Sequence, residues 1–257
     1  MTAWNPKLYL QFDRERELPC RDLISRLRLK SFRNITDLGC GPGNSTALLR
    51  AAFPDAKITG VDASPEMLIA ARQRLASAAF SPGNIQSWKP EEPVDLIFSN
   101  AALQWVDYHK ALFPRLLSSV KPGGYLAVQM PYRDESSPIS RVLRAVENHD
   151  RWAAYFRQPV RTWSVQEPAA YYNWLCDRSD QIDIWLADYY HPLPDARDVI
   201  DWYRGTSLQP YMAALPSEQQ RQEMLQFCYD AIREMYAVQM DGKIMFGIRR
   251  LFVIARC

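Results

Sequence analysis

The sequence has few of the features found in chains that depend on disulfides, metals or membranes. Its five cysteines are odd in number and include no C-x-x-C pair, which argues against a disulfide framework and a zinc site. No run approaches the roughly 18 apolar residues of a membrane span, and the N-terminus lacks the apolar core of a signal peptide. We therefore expect a cytoplasmic chain with no metal site.

Neither sign of charge is in excess. Lysine and arginine number 31 against 29 acidic residues, a net charge of +2, so no broad electrostatic surface for nucleic acid is predicted. In a chain of 257 residues, 47% hydrophobic residues are enough for a full core. We expect one domain over residues 1–257, without a nucleic-acid, membrane or obligate protein partner.

What the sequence does contain is a glycine-rich segment between a short apolar run and an amphipathic helix pattern. Gly39, Gly41 and Gly43 follow Asp37, and the helix pattern begins near Ser45. Glycine lets the backbone turn sharply and lets a ligand approach main-chain N–H groups, and a helix N-terminus adds partial positive charge. The segment therefore predicts a loop that binds a nucleotide-type cofactor.

The spacing of this segment distinguishes between cofactors. A dinucleotide fingerprint has its third glycine three residues after the second, where this chain has Asn44. A second acid, Asp62, ends the next strand pattern at the distance of about 20 residues that brings a carboxylate to ribose hydroxyls. These two signals together disfavour a dehydrogenase and an ordinary strand-to-helix turn in which Asp62 only caps the next helix.

Strand and helix patterns alternate along the chain and predict an α/β fold. The predicted strands are 35–38, 57–61, 84–86, 94–100, 125–130, 182–191 and 244–255. Helix patterns between them favour a doubly wound, mostly parallel, Rossmann-like sheet of seven strands. Ligands of such sheets bind at the carboxyl ends of the strands. The polar residues at those ends are Asp37, Asp62, Asn100 and Gln129.

Three segments have predicted roles around this sheet. Residues 1–33 form an N-terminal helical arm in which Leu23, Ile24 and Leu27 have helix spacing. Residues 34–131 form the cofactor-binding half. The connection between the last two strands is far longer than a hairpin needs, so residues 192–240 are predicted to be an inserted helical lid.

The glycine segment and its leading acid resemble motif I of the class I S-adenosylmethionine (SAM) methyltransferases. A narrower resemblance, to the trans-aconitate methyltransferase family, extends over nearly the whole chain. It is carried by segments such as Trp4-Asn5-Pro6-x-x-Tyr9, Leu103-Gln104-Trp105, Ala127-Val128-Gln129-Met130-Pro131, Tyr189-Tyr190-His191 and Arg250-Leu251-Phe252. The resemblance implies transfer of the SAM methyl group to one carboxylate of trans-aconitate, which gives a monomethyl ester and S-adenosylhomocysteine.

Methyl transfer to a carboxylate needs little from the protein's own acids and bases. A carboxylic acid with a pKa near 4 is already ionised at neutral pH, so we expect no general base, no catalytic cysteine and no other catalytic residue. The protein would contribute alignment and exclusion of water.

Positions in the motifs imply a set of cofactor-binding residues, with Asp37 near the ammonium of SAM and Asp62 on the ribose hydroxyls. Asn84 stands where such enzymes often have an aspartate facing the adenine. Met67 would pack on the purine, although a methionine in the first turn of a helix is more often a core residue. The full set is Asp37, Gly39, Gly41, Gly43, Asp62, Ala63, Met67, Asn84, Ile85 and Asn100.

A tricarboxylate acceptor calls for cations and hydroxyls, and the planar fork of arginine suits carboxylates best. The candidate acceptor-binding residues are Tyr9, Trp105, Arg133, Tyr190, His191, Trp202 and Arg250. For Arg133 the competing interpretation is a solvated loop charge. For His191 and Arg250 it is structural pairing within the protein.

Two other functions agree with the same cofactor residues. One is methylation of another small acceptor, such as an amine, a phenol or a different acid; the other is a regulator that binds SAM without catalysis. Methylation of amides in proteins or nucleic acids is disfavoured, because the fourth strand ends in Asn-Ala-Ala-Leu and lacks the Asn/Asp-Pro-Pro-Tyr/Phe motif of families that perform it.

Overall fold

The computed structural model describes residues 12–133, 136–158, 160 and 163–257. Tyr9 therefore lies outside the described residues. The described chain divides into two compact units. The first, called the sheet unit below, comprises Arg16–Tyr132, Trp163–Ala187 and Arg250–Cys257. The second, called the helical unit, consists of the remaining described residues.

The described residues contribute seven strands to one sheet. The strands are β1 (Asn34–Leu38), β2 (Lys57–Asp62), β3 (Ala79–Pro82), β4 (Val94–Asn100), β5 (Val120–Pro131), β6 (Gln181–Leu193) and β7 (Ile244–Arg256). Their order is β3-β2-β1-β4-β5-β7-β6. The pairs from β3 to β5 are parallel, and β7 is antiparallel to β5. The predicted doubly wound, mostly parallel sheet is confirmed.

Five α-helices of the described residues lie wholly or mainly in the sheet unit, and the one predicted to begin near Ser45 begins at Asn44. They are α1 (Asp13–Ser25), α2 (Asn44–Ala52), α3 (Pro65–Arg74), α4 (His109–Leu117) and α6 (Pro168–Leu175). At the start of α3 the Met67 N–H donates to Ser64 Oγ, and Pro65 occupies the first turn, where a missing N–H costs nothing. None of the helices among the described residues is long and apolar enough to cross a lipid bilayer.

The core of the sheet unit forms along the sheet. Leu38, Ile97 and Leu126 are fully buried in three successive strands and belong to one cluster with Phe113 and Leu116 of α4. Continuous apolar strands of this kind are typical of parallel sheets that are covered on both faces. The carboxyl ends of β1, β2, β4 and β5 are thereby held along one edge of the sheet.

The helical unit has its own core, formed mainly by helices. These are α5 (Pro138–Glu147), α7 (Ala196–Arg204), α8 (Gln209–Ala214) and α9 (Glu218–Arg233). Val142, Val199, Met224 and Phe246 are fully buried in one cluster. Three of these helices, α7, α8 and α9, lie within residues 192–240. The predicted lid, residues 192–240, lies within this unit, and its movement stays a prediction.

The third strand is the one strand predicted at the wrong place. β3 spans Ala79–Pro82 and pairs with β2, whereas the prediction was Asn84–Gln86. Asn84 forms a turn, in which its Oδ1 accepts from the Gln86 N–H at 2.9 Å and its carbonyl accepts from the Trp88 N–H at 2.8 Å. The short asparagine side chain competes for nearby backbone N–H groups, which favours a turn over a strand.

The fifth strand begins earlier than predicted. It runs from Val120, whereas the predicted strand began at residue 125. The added segment contains an irregularity, where pairing with β4 shifts between Val94 and Leu96. Gly123 has a φ of 79°, and its N–H donates to the Cys257 carbonyl at 2.6 Å. Glycines in a strand often mark such a bulge.

Candidate functional site

The glycine loop joins β1 to α2 and adopts a backbone that only glycine adopts readily. Gly39, Gly41 and Gly43 have φ angles of 73°, 53° and 86°, in the left-handed region where other residues are strained. The N–H groups of Gly39 and Cys40 both donate to the Val61 carbonyl, at 2.8 and 3.1 Å. The loop is therefore tied to the end of β2.

Two of these glycines have different surroundings. A Cβ at Gly39 would lie 2.2 Å from the Ala102 Cβ and 3.2 Å from the Ile85 Cδ1, so Gly39 is required by packing inside the protein. A Cβ at Gly41 would meet no atom of the described structure within 4 Å. The backbone at Gly41 is thus open to a ligand, in the position predicted from the motif.

Asp62 links the glycine loop to the helix that follows β2. Its Oδ2 accepts from the Gly41 N–H at 2.9 Å, and its Oδ1 accepts from the Ser64 N–H at 2.9 Å. The next residue, Ala63, is exposed, and Met67 is buried in the first turn of α3. Asp62 thus lies beside the glycine loop, and its predicted contact with ribose hydroxyls stays a prediction.

Asp37 is fully buried beneath the glycine loop. Its Oδ2 accepts from Ser45 Oγ at 2.7 Å and from Thr46 Oγ1 at 2.6 Å, whereas its Oδ1 has no hydrogen-bond partner within the described part of the chain. Burial raises the pKa of Asp37 to about 6, although the two hydroxyls act in the opposite direction. Asp37 therefore anchors the first turn of α2.

Ser45 and Thr46 were not predicted to act in the site. Their signal in the sequence was their place directly after the glycines, where a hydroxyl in the first helical turn can reach back to an acid at the end of the preceding strand.

Three residues predicted near the adenine or the methionine part of the cofactor lie in different settings. Asn84 is exposed, and its Oδ1 is used in a turn. Ile85 is half-buried beside Gly39. Asn100 ends β4, and its Oδ1 is buried without a hydrogen-bond partner among the described residues. Ile85 lies beside the glycine loop and Asn100 has a buried acceptor atom, as a cofactor site requires, whereas Asn84 is exposed and occupied by its own turn.

Two candidate acceptor residues belong to the sheet unit. Trp105 is half-buried in the short 3₁₀ turn Leu103–Trp105, with its ring edge-to-face against Trp163 at a centroid distance of 6.2 Å. Arg250 lies in β7 opposite Pro131 and is only 5% exposed. A guanidinium at that depth needs acceptor groups around it.

His109 supports the turn that carries Trp105. One ring nitrogen, Nε2, lies 2.9 Å from the Leu103 carbonyl, and Nδ1 lies 2.7 Å from the Tyr171 hydroxyl. Burial lowers the pKa of His109, so a neutral ring is favoured at neutral pH. Both nitrogens are occupied by protein groups, which makes His109 a structural residue and not a general base.

Arg133 belongs to the helical unit, in surroundings that the sequence did not show. It is half-buried and interacts electrostatically with Tyr203, Tyr211 and Glu147, and desolvation lowers its pKa. The Tyr211 hydroxyl donates to Glu147 Oε1. These surroundings disfavour the interpretation of Arg133 as a solvated loop charge.

Neighbouring residues of β6 face opposite ways. Tyr190 is 63% exposed and His191 only 4%, because successive side chains of a strand point to opposite faces. His191 stacks on Trp202 at a centroid distance of 5.6 Å, and Trp202 also contacts Phe12 at 5.0 Å. Tyr190 and His191 thus cannot line one face of β6 together, and Trp202 is part of the helical core.

Comparison with known proteins places the chain in a family. The methyltransferase domain family matches residues 35–124, which run from β1 into β5. The YcgJ protein of Bacillus subtilis has the same fold, with a TM-score of 0.57 at 13% identity over 91% of this chain and 97% of that one.

Much more similar sequences cover the full length. The trans-aconitate 2-methyltransferase of Klebsiella pneumoniae (strain 342) is 43% identical over 256 residues, which cover 100% of this chain and 98% of that protein. The enzyme of the same name from Methylobacterium radiotolerans is 43% identical over 259 residues, with coverage of 100% and 99%. Because this identity extends over both chains from end to end, the chain belongs to the trans-aconitate 2-methyltransferase family.

Proposed function

We propose that this protein is a SAM-dependent carboxyl O-methyltransferase that converts trans-aconitate to a monomethyl ester, with S-adenosylhomocysteine as the second product. The observation that carries the proposal is full-length identity of 43% to relatives with that name. The glycine loop and Asp62 support it, because the cofactor half of the site has the geometry that the motif implies.

The described residues fit the cofactor. The open backbone at Gly41 leaves space for a ligand, Asp62 presents a carboxylate beside it, and Asn100 Oδ1 is a buried acceptor without a partner in the described structure. A ribose, an ammonium group and a close backbone approach would use these features. When bound, SAM supplies a methyl group on a positively charged sulfur, which leaves as a thioether.

The protein's part in the reaction is alignment. The acceptor carboxylate is ionised at neutral pH, so no side chain has to remove a proton. Holding two reactants in line contributes on the order of 7–11 kcal/mol. In this chain Asp37, with Ser45 and Thr46, holds the start of α2, and Asp62 holds the loop above it.

Charge on the acceptor sets a second requirement. A cation that paired tightly with the reacting carboxylate would lower its nucleophilicity, so permanent cations should bind the carboxylates that do not react. Arg250 is our candidate in the sheet unit, because arginine binds carboxylates through two N–H groups. Trp105, Arg133, Tyr190, His191, Trp202 and Tyr9 stay as untested candidates.

The test is a transfer assay with methyl-labelled SAM and a panel of acids. The panel contains trans-aconitate, cis-aconitate, isocitrate, citrate and a monocarboxylic acid, and each product ester is identified by mass spectrometry. We expect label on trans-aconitate above all others. Preferred methylation of an amine or phenol would favour another acceptor, and SAM binding without transfer to any acid would favour a regulator.

We also propose that the protein acts in the cytoplasm on a small-molecule tricarboxylate, without an obligate protein partner. All five cysteines are free thiols in the structure, as is usual for proteins of a reducing compartment.

A further inference from the structure

Three residues with amide side chains lie at the carboxyl ends of two neighbouring strands of the sheet unit. Asn100 is the last residue of β4, and Gln129 is its register partner in β5. Gln104 follows in the 3₁₀ turn after β4. Gln129 is 1% exposed and Gln104 is 4% exposed. Buried glutamines are uncommon, because the amide must be removed from water.

Two hydrogen bonds to the backbone of Ala101 connect Gln129 and Gln104 through one strained position. The Ala101 N–H donates to the Gln129 carbonyl at 2.9 Å, and the Ala101 carbonyl accepts from Gln104 Nε2 at 2.7 Å. Ala101 has a φ of 53°, in the left-handed region that is uncommon for residues other than glycine. Such strain persists where the surroundings impose it, and it is frequent at functional sites.

Each of the three amides has a buried polar atom without a hydrogen-bond partner in the described ranges. These atoms are the acceptors Asn100 Oδ1 and Gln104 Oε1 and the donor Gln129 Nε2. A buried polar group without a partner lowers stability, and more than nine in ten buried groups in native proteins have one. Three such atoms within one connected group indicate a ligand that completes the hydrogen bonds.

The group lies beside the glycine loop. Ala102 is so close to Gly39 that a Cβ on the glycine would stand 2.2 Å from the alanine Cβ, and Ser99 Oγ donates to the Leu38 carbonyl at 2.8 Å. In the strand order β1-β4-β5, Asn100 lies next to the strand that carries the loop, and Gln129 lies one strand farther away. The cofactor would therefore use the Asn100 side, and Gln129 would face what lies beyond it.

We propose that Gln129 holds the reacting carboxylate of the acceptor, with its Nε2 donating to one carboxylate oxygen, and that Gln104 is a positioning residue that acts through Ala101. The proposal rests on the proposed function. The other carboxylate oxygen forms a bond to the methyl carbon while the carbon–sulfur bond breaks, its electron pair stays on sulfur, and no proton moves. An uncharged donor orients the nucleophile without neutralising its charge, whereas an arginine would neutralise it.

The decisive variant is Gln129→Met, which keeps the side-chain length and removes the donor. Because a hydrogen bond to a charged group is lost, we expect kcat/KM for trans-aconitate to fall by about tenfold to a hundredfold. The Kd of SAM should stay within about twofold of wild type. The thermal midpoint should be equal or higher, because a buried amide without a protein partner has been removed. If Gln129 were needed only for packing, the variant would have a lower thermal midpoint and an unchanged kcat/KM.

Gln104→Met and the double variant test the positioning role. Gln104→Met should lower kcat more than it changes KM, and the double variant should lose much less than the product of the two single effects, because both act on one contact. The control is Gln73→Met on the exposed side of α3, which should keep wild-type kinetics.

Several results would overturn the inference. It fails if Gln129→Met keeps kcat and KM within about twofold of wild type, or if weaker SAM binding accounts for the whole loss. Should Gln129→Met not fold, Gln129→Asn takes its place, since it keeps an amide but withdraws it; wild-type kinetics there would also contradict the proposal. A wild-type protein that methylates no acid contradicts the proposed function instead, and this is measured separately.

Discussion

At the scale of single residues, Asp62 is the carboxylate that we propose connects the glycine loop with the cofactor. We predict that Asp62→Ala weakens SAM binding by the energy of charge-assisted hydrogen bonds, about 1.5–3 kcal/mol. It also removes the acceptor of the Gly41 and Ser64 N–H groups. Calorimetric titration with SAM measures the Kd. Asp62→Asn keeps one acceptor oxygen and should therefore lose less SAM affinity than Asp62→Ala. An unchanged Kd in folded Asp62→Ala would remove Asp62 from the cofactor site.

Asp37 makes the stability of the protein depend on pH in an unusual direction. Burial raises its pKa from 3.8 to about 6, so the folded protein binds this proton more tightly than the unfolded chain. The carboxyl therefore favours folding most below about pH 4, and this contribution is lost as the pH rises through about 6. The difference corresponds to about 3 kcal/mol.

The variant Asp37→Asn should remove this dependence. Its free energy of unfolding relative to wild type should be highest near pH 7 and should decline as the pH falls towards about 4, because wild-type Asp37 becomes protonated over that range. Urea denaturation of both proteins at a series of pH values measures it. A stability difference that is independent of pH would show that Asp37 does not titrate in this way.

Arg250 has a natural control in the residue before it. Arg249 is exposed and binds Asp188 through Nε and Nη2 at 2.7 and 2.9 Å, and a surface ion pair of this kind contributes about 0–1 kcal/mol. We predict that Arg250→Met raises the KM of trans-aconitate steeply with little change in SAM binding or thermal stability, whereas Arg249→Met changes none of these much.

A structural role for Arg250 predicts a different result. If its partner is a protein carboxylate, Arg250→Met leaves that acid buried alone and costs about 3–5 kcal/mol of stability. A destabilised variant with wild-type acceptor kinetics would mean that Arg250 is a structural residue.

At the scale of an element, two positions of the glycine loop require glycine for different reasons. Gly41→Ala introduces only left-handed strain, about 1–2 kcal/mol, because no described atom lies near the new Cβ. Gly39→Ala adds a collision with Ala102. We predict a larger fall in the thermal midpoint for Gly39→Ala, whereas Gly41→Ala should lose SAM affinity out of proportion to its stability. Equal effects of the two changes on both quantities would contradict this distinction.

At the scale of the whole molecule, the two compact units should respond to different ligands. We predict that SAM alone slows amide exchange in the glycine loop of the sheet unit. S-adenosylhomocysteine and trans-aconitate together should slow exchange in residues 192–240, the segment predicted to be a helical lid. Hydrogen–deuterium exchange with mass spectrometry measures both regions. If exchange in residues 192–240 is indifferent to both ligands while turnover is intact, this segment is not a lid.

The sequence by itself determined the features that depend on neighbouring residues. Three closely spaced glycines define a left-handed loop, an acid about 20 residues later defines the βαβ unit, and Ser64 with Pro65 defines a helix start. Each is a matter of local backbone geometry, so the fold class and the cofactor half could be predicted. The third strand was misplaced because a polar turn at Asn84 and a short strand have similarly weak local patterns.

Only the tertiary structure decided the features that depend on residues far apart in the chain. The pKa of Asp37 follows from its burial, and the exposure of Tyr190 and burial of His191 follow from which face of β6 is covered. Asn100 and Gln129 lie side by side because β4 pairs with β5. Desolvation and strand pairing are set by the packed molecule. No spacing in the sequence encodes them. The sequence placed Gln129 at the end of a strand, but its burial, on which its proposed role depends, followed only from the packed structure.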